Sequence, residues 1–234
     1  MPPETPDSGF ELKFVVEARL APLVASRLAA SFAPDPRHPR NTVASLYLDD
    51  RALTGLAQAR DGALVKRKVR LRWYEVAPGR PESDLCVLEV KHRFGARRRK
   101  ERHESPLRAE RLAAIAGALP SRRELLGGEL DRALPRDVVS ESLEPSLLVR
   151  YERRRFVDPA SGSRICLDRE IHAAAIRAGA PLGRLGARAP LAVLEVKNRD
   201  GRAPATLATV LGPTLRRISF SKYERCFAAT TGDA

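Results

Sequence analysis

The feature that most constrains the fold is the alternation of cationic and apolar residues over 65–74, which reads Val-Lys-Arg-Lys-Val-Arg-Leu-Arg-Trp-Tyr. The even positions from Lys66 to Arg72 are all cationic, and the odd positions are apolar apart from Arg67. A period of two residues is the period of a β-strand, so one face of this strand carries stacked cations and the other is apolar. Taken alone, the stretch is typical of a sandwich strand whose basic face meets water.

Charges with the same spacing recur along the chain. The pentapeptide Val-Leu-Glu-Val-Lys occurs at 87–91 and again at 193–197, and Glu11-Leu12-Lys13 supplies a third Glu-x-Lys. In a strand, each copy places a carboxylate and an ammonium group on one face and apolar residues on the other. For any single copy, we favour a surface ion pair, which contributes about 0–1 kcal/mol. The recurrence favours a charged face that several strands share.

Hydrophobic periodicity and turn residues divide the chain into strands with helices between them. We predict strands at Phe10–Glu17, Thr42–Leu48, Val65–Glu75, Leu85–Arg93, Arg97–Glu104, Leu147–Val157, Arg164–Arg169 and Leu191–Asn198. We predict helices at Ala18–Phe32, from the Ser105-Pro106 cap to about Ala118, and at Ala203–Leu211. No long Pro/Gly/Ser linker separates two folding units, so we expect one domain over 10–227, a disordered N-terminus at 1–9 and a loose tail at 228–234.

About eight antiparallel strands can close into a barrel whose lumen holds a small ligand or a chain. We therefore predict an α+β fold, mainly antiparallel β, in which eight strands form a closed barrel tunnel with flanking helices. If the charged faces point inward, the lumen is cationic, and buried cations without anions repel one another severely. Such a lumen implies a bound polyanion, and its glutamates could hold Mg²⁺ or Mn²⁺ together with phosphate oxygens.

The composition agrees with a polyanionic partner. The 234 residues carry a net charge of +13, which suggests phosphate chains, nucleic acid or an anionic membrane surface. The basic runs lie on strand-like segments rather than on an exposed helix, so we expect no stable nucleic-acid partner. Cys86, Cys166 and Cys226 are far apart without a CxxC pair, and 1–9 has no apolar core of a signal peptide. We expect a cytoplasmic protein.

Nine short motifs, in order from Phe10 to Phe227, carry a resemblance to a known family. They are Glu11-Leu12-Lys13, Ser45-Leu46-Tyr47-Leu48-Asp49, Arg70-Leu71-Arg72-Trp73-Tyr74, Leu88-Glu89-Val90-Lys91, Lys100-Glu101-Arg102, Tyr151-Glu152-Arg153 with Phe156, Arg164 with Leu167-Asp168, Leu194-Glu195-Val196-Lys197 and Ser221-Lys222-Tyr223. With these motifs in this order, the chain resembles the catalytic domain of the vacuolar transporter chaperone (VTC) polyphosphate polymerases. These belong to the triphosphate tunnel metalloenzyme (CYTH-like) superfamily.

The resemblance implies a tunnel that binds ATP and polyphosphate with Mn²⁺ or Mg²⁺. It assigns the catalytic phosphate-binding cations to Lys13, Arg70, Arg72, Lys91, Lys100, Arg153, Arg164 and Lys222. It adds Ser221 as a hydroxyl contact and Glu195 as the metal ligand, whereas Glu11 and Glu89 either contact the metal or orient neighbouring lysines. The residues that we expect to bind substrate are Ser221, Lys68, Lys197, Glu11 and Glu89. The resemblance also implies a membrane-protein partner, and with it peripheral attachment to a membrane complex, whereas it leaves the oligomeric state open.

The favoured hypothesis is transfer of the γ-phosphoryl group of ATP onto a polyphosphate chain. The alternatives are a triphosphatase or polyphosphatase of the same fold and a polyanion-binding module without turnover. Two positions depart from the pattern of the resemblance: Gly9 stands where the hydrolytic branch has a first glutamate, and Ser219 stands where the polymerases have a basic residue.

Overall fold

The structure, a computed structural model, describes residues 10–95, 97–105, 108–113, 143–176, 187–212, 216–218 and 220–231. Within this part of the chain the fold is α+β and the strand pairs are antiparallel, which confirms the predicted fold class. The predicted N-terminal disorder at 1–9 lies outside the described residues. No helix among the described residues is long and apolar enough to cross a bilayer.

The strands and helices are numbered in chain order. The strands are β1 (Phe10–Glu17), β2 (Ala33–Pro34), β3 (Arg40–Asp49), β4 (Val65–Ala77), β5 (Arg80–Pro81), β6 (Cys86–Phe94), β7 (Arg97–Ser105), β8 (Glu144–Val157), β9 (Arg164–Ala175), β10 (Ala187–Arg188), β11 (Leu191–Asn198) and β12 (Arg216–Arg217). The helices are α1 (Ala21–Ser31), α2 (Thr54–Arg60), α3 (Ala109–Ala113), α4 (Ala205–Leu211) and α5 (Lys222–Thr231), and a 3-10 turn covers Ala18–Leu20.

Most predicted elements are present with small changes at their ends. The predicted first helix divides into the 3-10 turn and α1, with a proline in the first turn of α1, where its missing N–H costs no hydrogen bond. Ser105 is the last residue of β7 rather than a helix cap, and the described helix begins at Ala109. At the C-terminus, α5 extends through residues 228–231, where a loose tail was predicted.

The described chain forms two compact units, and β3, β8 and β9 contribute residues to both. The first unit consists of the described residues within Met1–Asn41, Tyr151–Ile171 and Ala189–Phe220. The second consists of the described residues within Thr42–Arg150, His172–Arg188 and Ser221–Ala234. The single domain over 10–227 stays a prediction.

In the first unit, β1 pairs with β11 along its whole length, and β11 pairs with β9 on its other side. One face of these strands is apolar, and it packs with α1 and α4 into a buried core that includes Leu12, Leu28, Ile165, Leu194 and Val196. The opposite face carries the Glu-x-Lys residues of β1 and β11. The alternation in the sequence therefore separates a core face from a charged face, as period-two patterning requires.

In the second unit, β4 lies between β3 and β6, and β7 pairs with the far side of β6. Val69, Leu71 and Trp73 of β4 are buried in an apolar core together with residues of β3 and β6. This confirms the strand that the cationic alternation predicted. Lys66, Lys68, Arg70 and Arg72 of β4 lie on the opposite face of the strand from this core.

The prediction of eight strands closed into a barrel is not confirmed. The hydrogen-bonded order of the described strands runs β12-β1-β11-β9-β8-β3-β4-β6-β7, and it ends at β12 and β7 instead of returning on itself. The described residues also include four strands of two residues each, β2, β5, β10 and β12. A two-residue strand is too short to show a period, so the sequence pattern could not reveal it.

Candidate functional site

The strand register of the second unit gathers charged side chains from three neighbouring strands. Arg70 of β4 is directly opposite Glu89 of β6, and Glu89 is directly opposite Arg102 of β7. Two residues further along each strand, Lys91 pairs in register with Lys68 on one side and with Lys100 on the other. Directly opposed residues in antiparallel strands project to the same side, so these side chains share one face of the sheet.

We call the group formed by Glu89 with Arg70, Arg72, Lys100 and Arg102 the Glu89 cluster. Arg70 Nε lies 2.7 Å from Glu89 Oε2, and Arg72 Nη1 lies 3.5 Å from the same oxygen. On the other oxygen, Glu89 Oε1 lies 3.1 Å from both Lys100 Nζ and Arg102 Nε. A single carboxylate, whose side chain is 1% exposed, thus holds four cations in place.

The charge of Glu89 is secured by its neighbours. Burial favours the neutral carboxyl group, but attraction to Arg70, Arg72 and Lys100 outweighs burial and holds the pKa of Glu89 well below its usual range. The carboxylate therefore stays ionised at neutral pH. Because cations outnumber it by four to one within the cluster, the surface favours a further, multiply charged anion.

Hydroxyl groups complete this face. Ser45 Oγ of β3 accepts a hydrogen bond from Arg72 Nε at 3.2 Å, and Tyr47 Oη accepts one from Arg70 Nη1 at 3.3 Å. Ser221, immediately before α5, accepts a bond from Lys68 Nζ at 2.7 Å. Lys222, another predicted site residue of this unit, is the buried first residue of α5. Its charge lowers the pKa of the nearby Cys226 thiol, but burial of that thiol raises the pKa by more.

The first unit contains a second charged group, the Glu195 cluster, formed by Glu195 with Lys13, Arg153 and Asp168. Arg153 binds Asp168 through two bonds, Nε to Oδ1 at 2.6 Å and Nη2 to Oδ2 at 2.7 Å. The same Nη2 donates to Glu195 Oε2 at 2.8 Å. Lys13 Nζ lies 4.0 Å from Glu195 Oε1 and donates to the carbonyl oxygen of Phe220 at 3.1 Å.

Arg153 remains a cation in this position. Burial acts against its charge, but Asp168, Tyr151 and Glu195 act more strongly, and the pKa of Arg153 is raised well above its ordinary value. The planar guanidinium group suits two-point contacts to carboxylates, and to phosphates by the same geometry.

The remaining predicted residues of this unit, Glu11, Lys197 and Arg164, lie on the same strands, in the row next to Lys13 and Glu195. Glu11 is opposite Lys197, and Lys197 is opposite Arg164, so three strands present these side chains in a row. Each of the three lies two residues along its strand from Lys13, Glu195 or Cys166, which form the neighbouring row. The register thus brings Glu11, Lys197 and Arg164 to the same face as Lys13 and Glu195.

A metal site requires oxygen ligands, so the carboxylates decide whether these residues can hold Mg²⁺ or Mn²⁺. Within the part of the chain that the structure describes, no group of three His, Cys, Asp or Glu side chains could hold one. Glu195 Oε2 accepts from Arg153, and Oε1 forms an ion pair with Lys13 Nζ at 4.0 Å. A single carboxylate fits Mg²⁺ or Mn²⁺ only if phosphate oxygens and water supply the other ligands, as Mg²⁺ commonly requires.

Sequence reasoning did not select Arg102 and Asp168, which are members of these clusters, or Tyr47, which accepts a hydrogen bond from Arg70 of the Glu89 cluster. Arg102 continues the period-two row that contains Lys100, and that spacing could have identified it. Asp168 lies in the motif after Arg164, but only the folded pairing shows that it binds Arg153. The two departures from the pattern, Gly9 and Ser219, lie outside the described residues.

Comparison with known proteins gives a family and a fold. The model of the VTC domain matches residues 9–231. No curated protein matches the sequence. A solved structure described as a "putative adenylate cyclase", from Bacillus halodurans, is 16% identical with a TM-score of 0.53 and covers 93% of this chain and 96% of its own. The PH1819 protein of Pyrococcus horikoshii is 12% identical with a TM-score of 0.49, over 95% of this chain and 98% of its own.

At 16% identity, the likeness to the Bacillus halodurans structure shows a shared fold and nothing more. The family match is stronger evidence, because it spans both clusters and all nine motifs. It confirms the resemblance inferred from those motifs: the chain belongs to the VTC domain family.

Proposed function

We propose that this protein is a metal-dependent polyphosphate polymerase, which transfers the γ-phosphoryl group of ATP to the end of a polyphosphate chain. The observation that carries the proposal is the Glu89 cluster, where four cations converge on one nearly buried carboxylate. Fixed guanidinium and ammonium groups on a strand face are the kind of preorganised charge that stabilises phosphoryl transfer.

The chemistry favours transfer to phosphate over hydrolysis. The nucleophile of a polymerase is a terminal phosphate oxygen, which is already ionised, so no general base is required. The groups that surround Glu89 and Glu195 are guanidinium and ammonium groups, which suit charge neutralisation and alignment. A hydrolase would have to orient and deprotonate water, for which these cations are poorly suited.

The residues take separate roles in this proposal. Arg70, Arg72 and Lys100 bind phosphate oxygens and orient the reacting groups in line, and Arg153 and Lys13 do the same beside Glu195. Glu195 would hold Mn²⁺ or Mg²⁺, which supplies further neutralisation of phosphate charge when bound. Glu89 keeps its cations in place in the absence of substrate. The cationic tunnel that the resemblance implies, and a membrane-protein partner, belong to the proposal as well.

A label-transfer experiment tests the proposal. Purified protein is incubated with Mn²⁺, a polyphosphate primer and ATP labelled in the γ position. A polymerase places the label in chains, a triphosphatase releases it as orthophosphate, and a binding module leaves it in ATP. Arg70→Ala should abolish label transfer, whereas Arg51→Ala, which removes an exposed cation paired with Glu144, should leave it unchanged.

A further inference from the structure

Tyr223 lies buried on α5 with its hydroxyl group in a small polar network of the second unit. The hydroxyl donates to Asp49 Oδ2 at 2.7 Å, and Ser146 Oγ lies 3.0 Å from the same phenolic oxygen. Ser146 Oγ is also 3.1 Å from the carbonyl oxygen of Tyr47. Ser146 has one proton, so it can donate to only one of these two oxygens at a time.

The acceptor in this network, Asp49, is fixed by backbone groups. It ends β3, and its carboxylate accepts hydrogen bonds from the N–H groups of Gly55 and Leu56, each at 2.9 Å. A Cβ atom at position 55 would lie 3.1 Å from Asp49 Oδ1 and 3.1 Å from the carbonyl oxygen of Arg67. Glycine leaves room for this close approach, and Asp49 therefore offers Tyr223 an immobile partner.

The phenol keeps the proton that it donates. Burial raises the pKa of Tyr223, the hydrogen bond with Ser146 lowers it, and the bond to Asp49 raises it again, with a net shift well above the ordinary value. The hydroxyl group of Tyr223 is thus a permanent donor at neutral pH.

The ring of Tyr223 connects this network to the Glu89 cluster. It stacks on the ring of Tyr47, with centroids 4.7 Å apart and an interplanar angle of 10°. Tyr47 in turn accepts the hydrogen bond from Arg70 Nη1. A shift of Tyr223 would therefore disturb the aromatic surface and the hydroxyl group that hold the Arg70 guanidinium.

The backbone of Tyr223 connects the network to Ser221. Ser221 lies two residues earlier and caps α5, since its Oγ accepts from the backbone N–H of Glu224 at 3.4 Å. The same Oγ accepts the 2.7 Å bond from Lys68 Nζ. The hydrogen bond between Tyr223 and Asp49 fixes the position of α5, and the position of α5 determines the contact between Ser221 Oγ and Lys68 Nζ.

We propose that Tyr223 is a positioning residue: bound to Asp49, it holds Ser221 with Lys68, and Arg70 through Tyr47, in the arrangement that receives phosphate. This inference rests on the proposed function, in that these groups are taken to bind a phosphate chain. Tyr223 itself is buried, with 2% of its surface exposed, so it acts through Ser221 and Tyr47.

A double-mutant cycle tests the role, with tripolyphosphate as the probe and calorimetry as the measurement. Tyr223→Phe removes only the hydroxyl group and keeps the ring stack. We expect it to weaken tripolyphosphate binding by about 10-fold, the effect of losing one hydrogen bond to a charged partner. Ser221→Ala should also weaken binding, and the double variant should lose less than the product of the two single effects, because both changes disturb one contact. Unchanged affinity in Tyr223→Phe, or effects that multiply, would overturn the inference.

A matched control separates positioning from general loosening of the unit. Trp73 is buried in the core of the same unit, where its indole N–H donates to Glu75 Oε1 at 2.9 Å. Trp73→Phe also removes one buried hydrogen bond, and we expect a lower melting temperature with unchanged tripolyphosphate affinity. Equal weakening in both variants would mean that Tyr223 contributes stability alone. If the wild-type protein fails to bind tripolyphosphate, both the proposed function and the role of Tyr223 are contradicted. If the wild-type protein and the Tyr223→Phe variant bind it equally well, only the role of Tyr223 is contradicted.

Discussion

Arg153 and Asp168 form a two-point ion pair inside the first unit, with N···O distances of 2.6 and 2.7 Å and side chains that are 11% and 0% exposed. Removing one partner of such a pair leaves a nearly buried charge without its match, which is far more costly than losing an exposed pair.

We predict that Asp168→Asn lowers the free energy of unfolding by about 3 kcal/mol. Of the two carboxylates that pair with Arg153 in the described part of the chain, the variant keeps Glu195. Urea denaturation measures this change. Asp61→Asn is the matched control, since Asp61 pairs with Arg60 at the surface, where both side chains are more than 60% exposed. The control should change stability by less than about 1 kcal/mol. An Asp168→Asn variant as stable as the wild type would contradict the structural role of the pair.

Glu89→Gln should destabilise the protein in the absence of ligand and increase the stabilisation that a phosphate chain provides. The substitution removes the carboxylate on which four cations converge, and their mutual repulsion then opposes folding. Melting temperatures with and without tripolyphosphate measure both effects. A smaller ligand-induced shift in the variant than in the wild type would count against a phosphate site at this cluster.

The free energy of unfolding should depend on pH through the titration of Glu89. Its pKa is lower in the folded state than in the unfolded state, where a glutamate titrates near 4.3. The contribution of its charge is therefore complete above about pH 4.3 and is lost as the pH falls toward the folded-state pKa. The stability difference between wild type and Glu89→Gln should be constant from pH 6 to pH 8 and shrink below about pH 4.3. A difference that stays constant to lower pH would exclude this linkage.

Glu195→Gln should separate catalysis from binding. We expect label transfer from ATP to fall by at least about 100-fold, the loss of a metal ligand in phosphoryl transfer, with tripolyphosphate affinity unchanged or higher. Affinity can rise because the substitution removes a negative charge beside Lys13 and Arg153. Full metal-dependent activity in the variant would remove Glu195 from the site.

The buried cysteines should be unreactive in the folded protein. Burial raises the pKa of both Cys86 and Cys226 to about 12. At pH 8 only about one thiol in 10,000 is then ionised at these positions, and the thiolate is the reactive form. Iodoacetamide should label Cys86 and Cys226 only after unfolding in urea, and mass spectrometry of peptides reads this out. Rapid labelling of either cysteine in the folded protein would contradict its burial.

The strands could be predicted because their pattern is local. The alternation over 65–74 and the two Val-Leu-Glu-Val-Lys copies mark strands wherever one face must be apolar, and β1 and β11 have the predicted bounds. The arrangement of side chains could not be predicted in the same way, because it depends on register. Only the pairing of β6 with both neighbours shows that Glu89 is the acceptor for cations of β4 and β7.

The network around Tyr223 shows where sequence reasoning ends. Asp49 and Tyr223 both lie in motifs that carried the family resemblance, yet they are 174 residues apart. No period or spacing connects residues at such a separation, and their hydrogen bond exists only in the folded chain. The cations, in contrast, were assigned in advance by the family resemblance, and for those on strands the period-two spacing also marked a charged face.

The most direct test of the account is ³¹P NMR of purified protein incubated with ATP and Mn²⁺. A polymerase gives a growing resonance of internal phosphates together with a stoichiometric amount of ADP, and this is the result that we predict. Orthophosphate and ADP without a chain signal, or ATP that remains unchanged, would contradict the proposed phosphoryl transfer between phosphate chains.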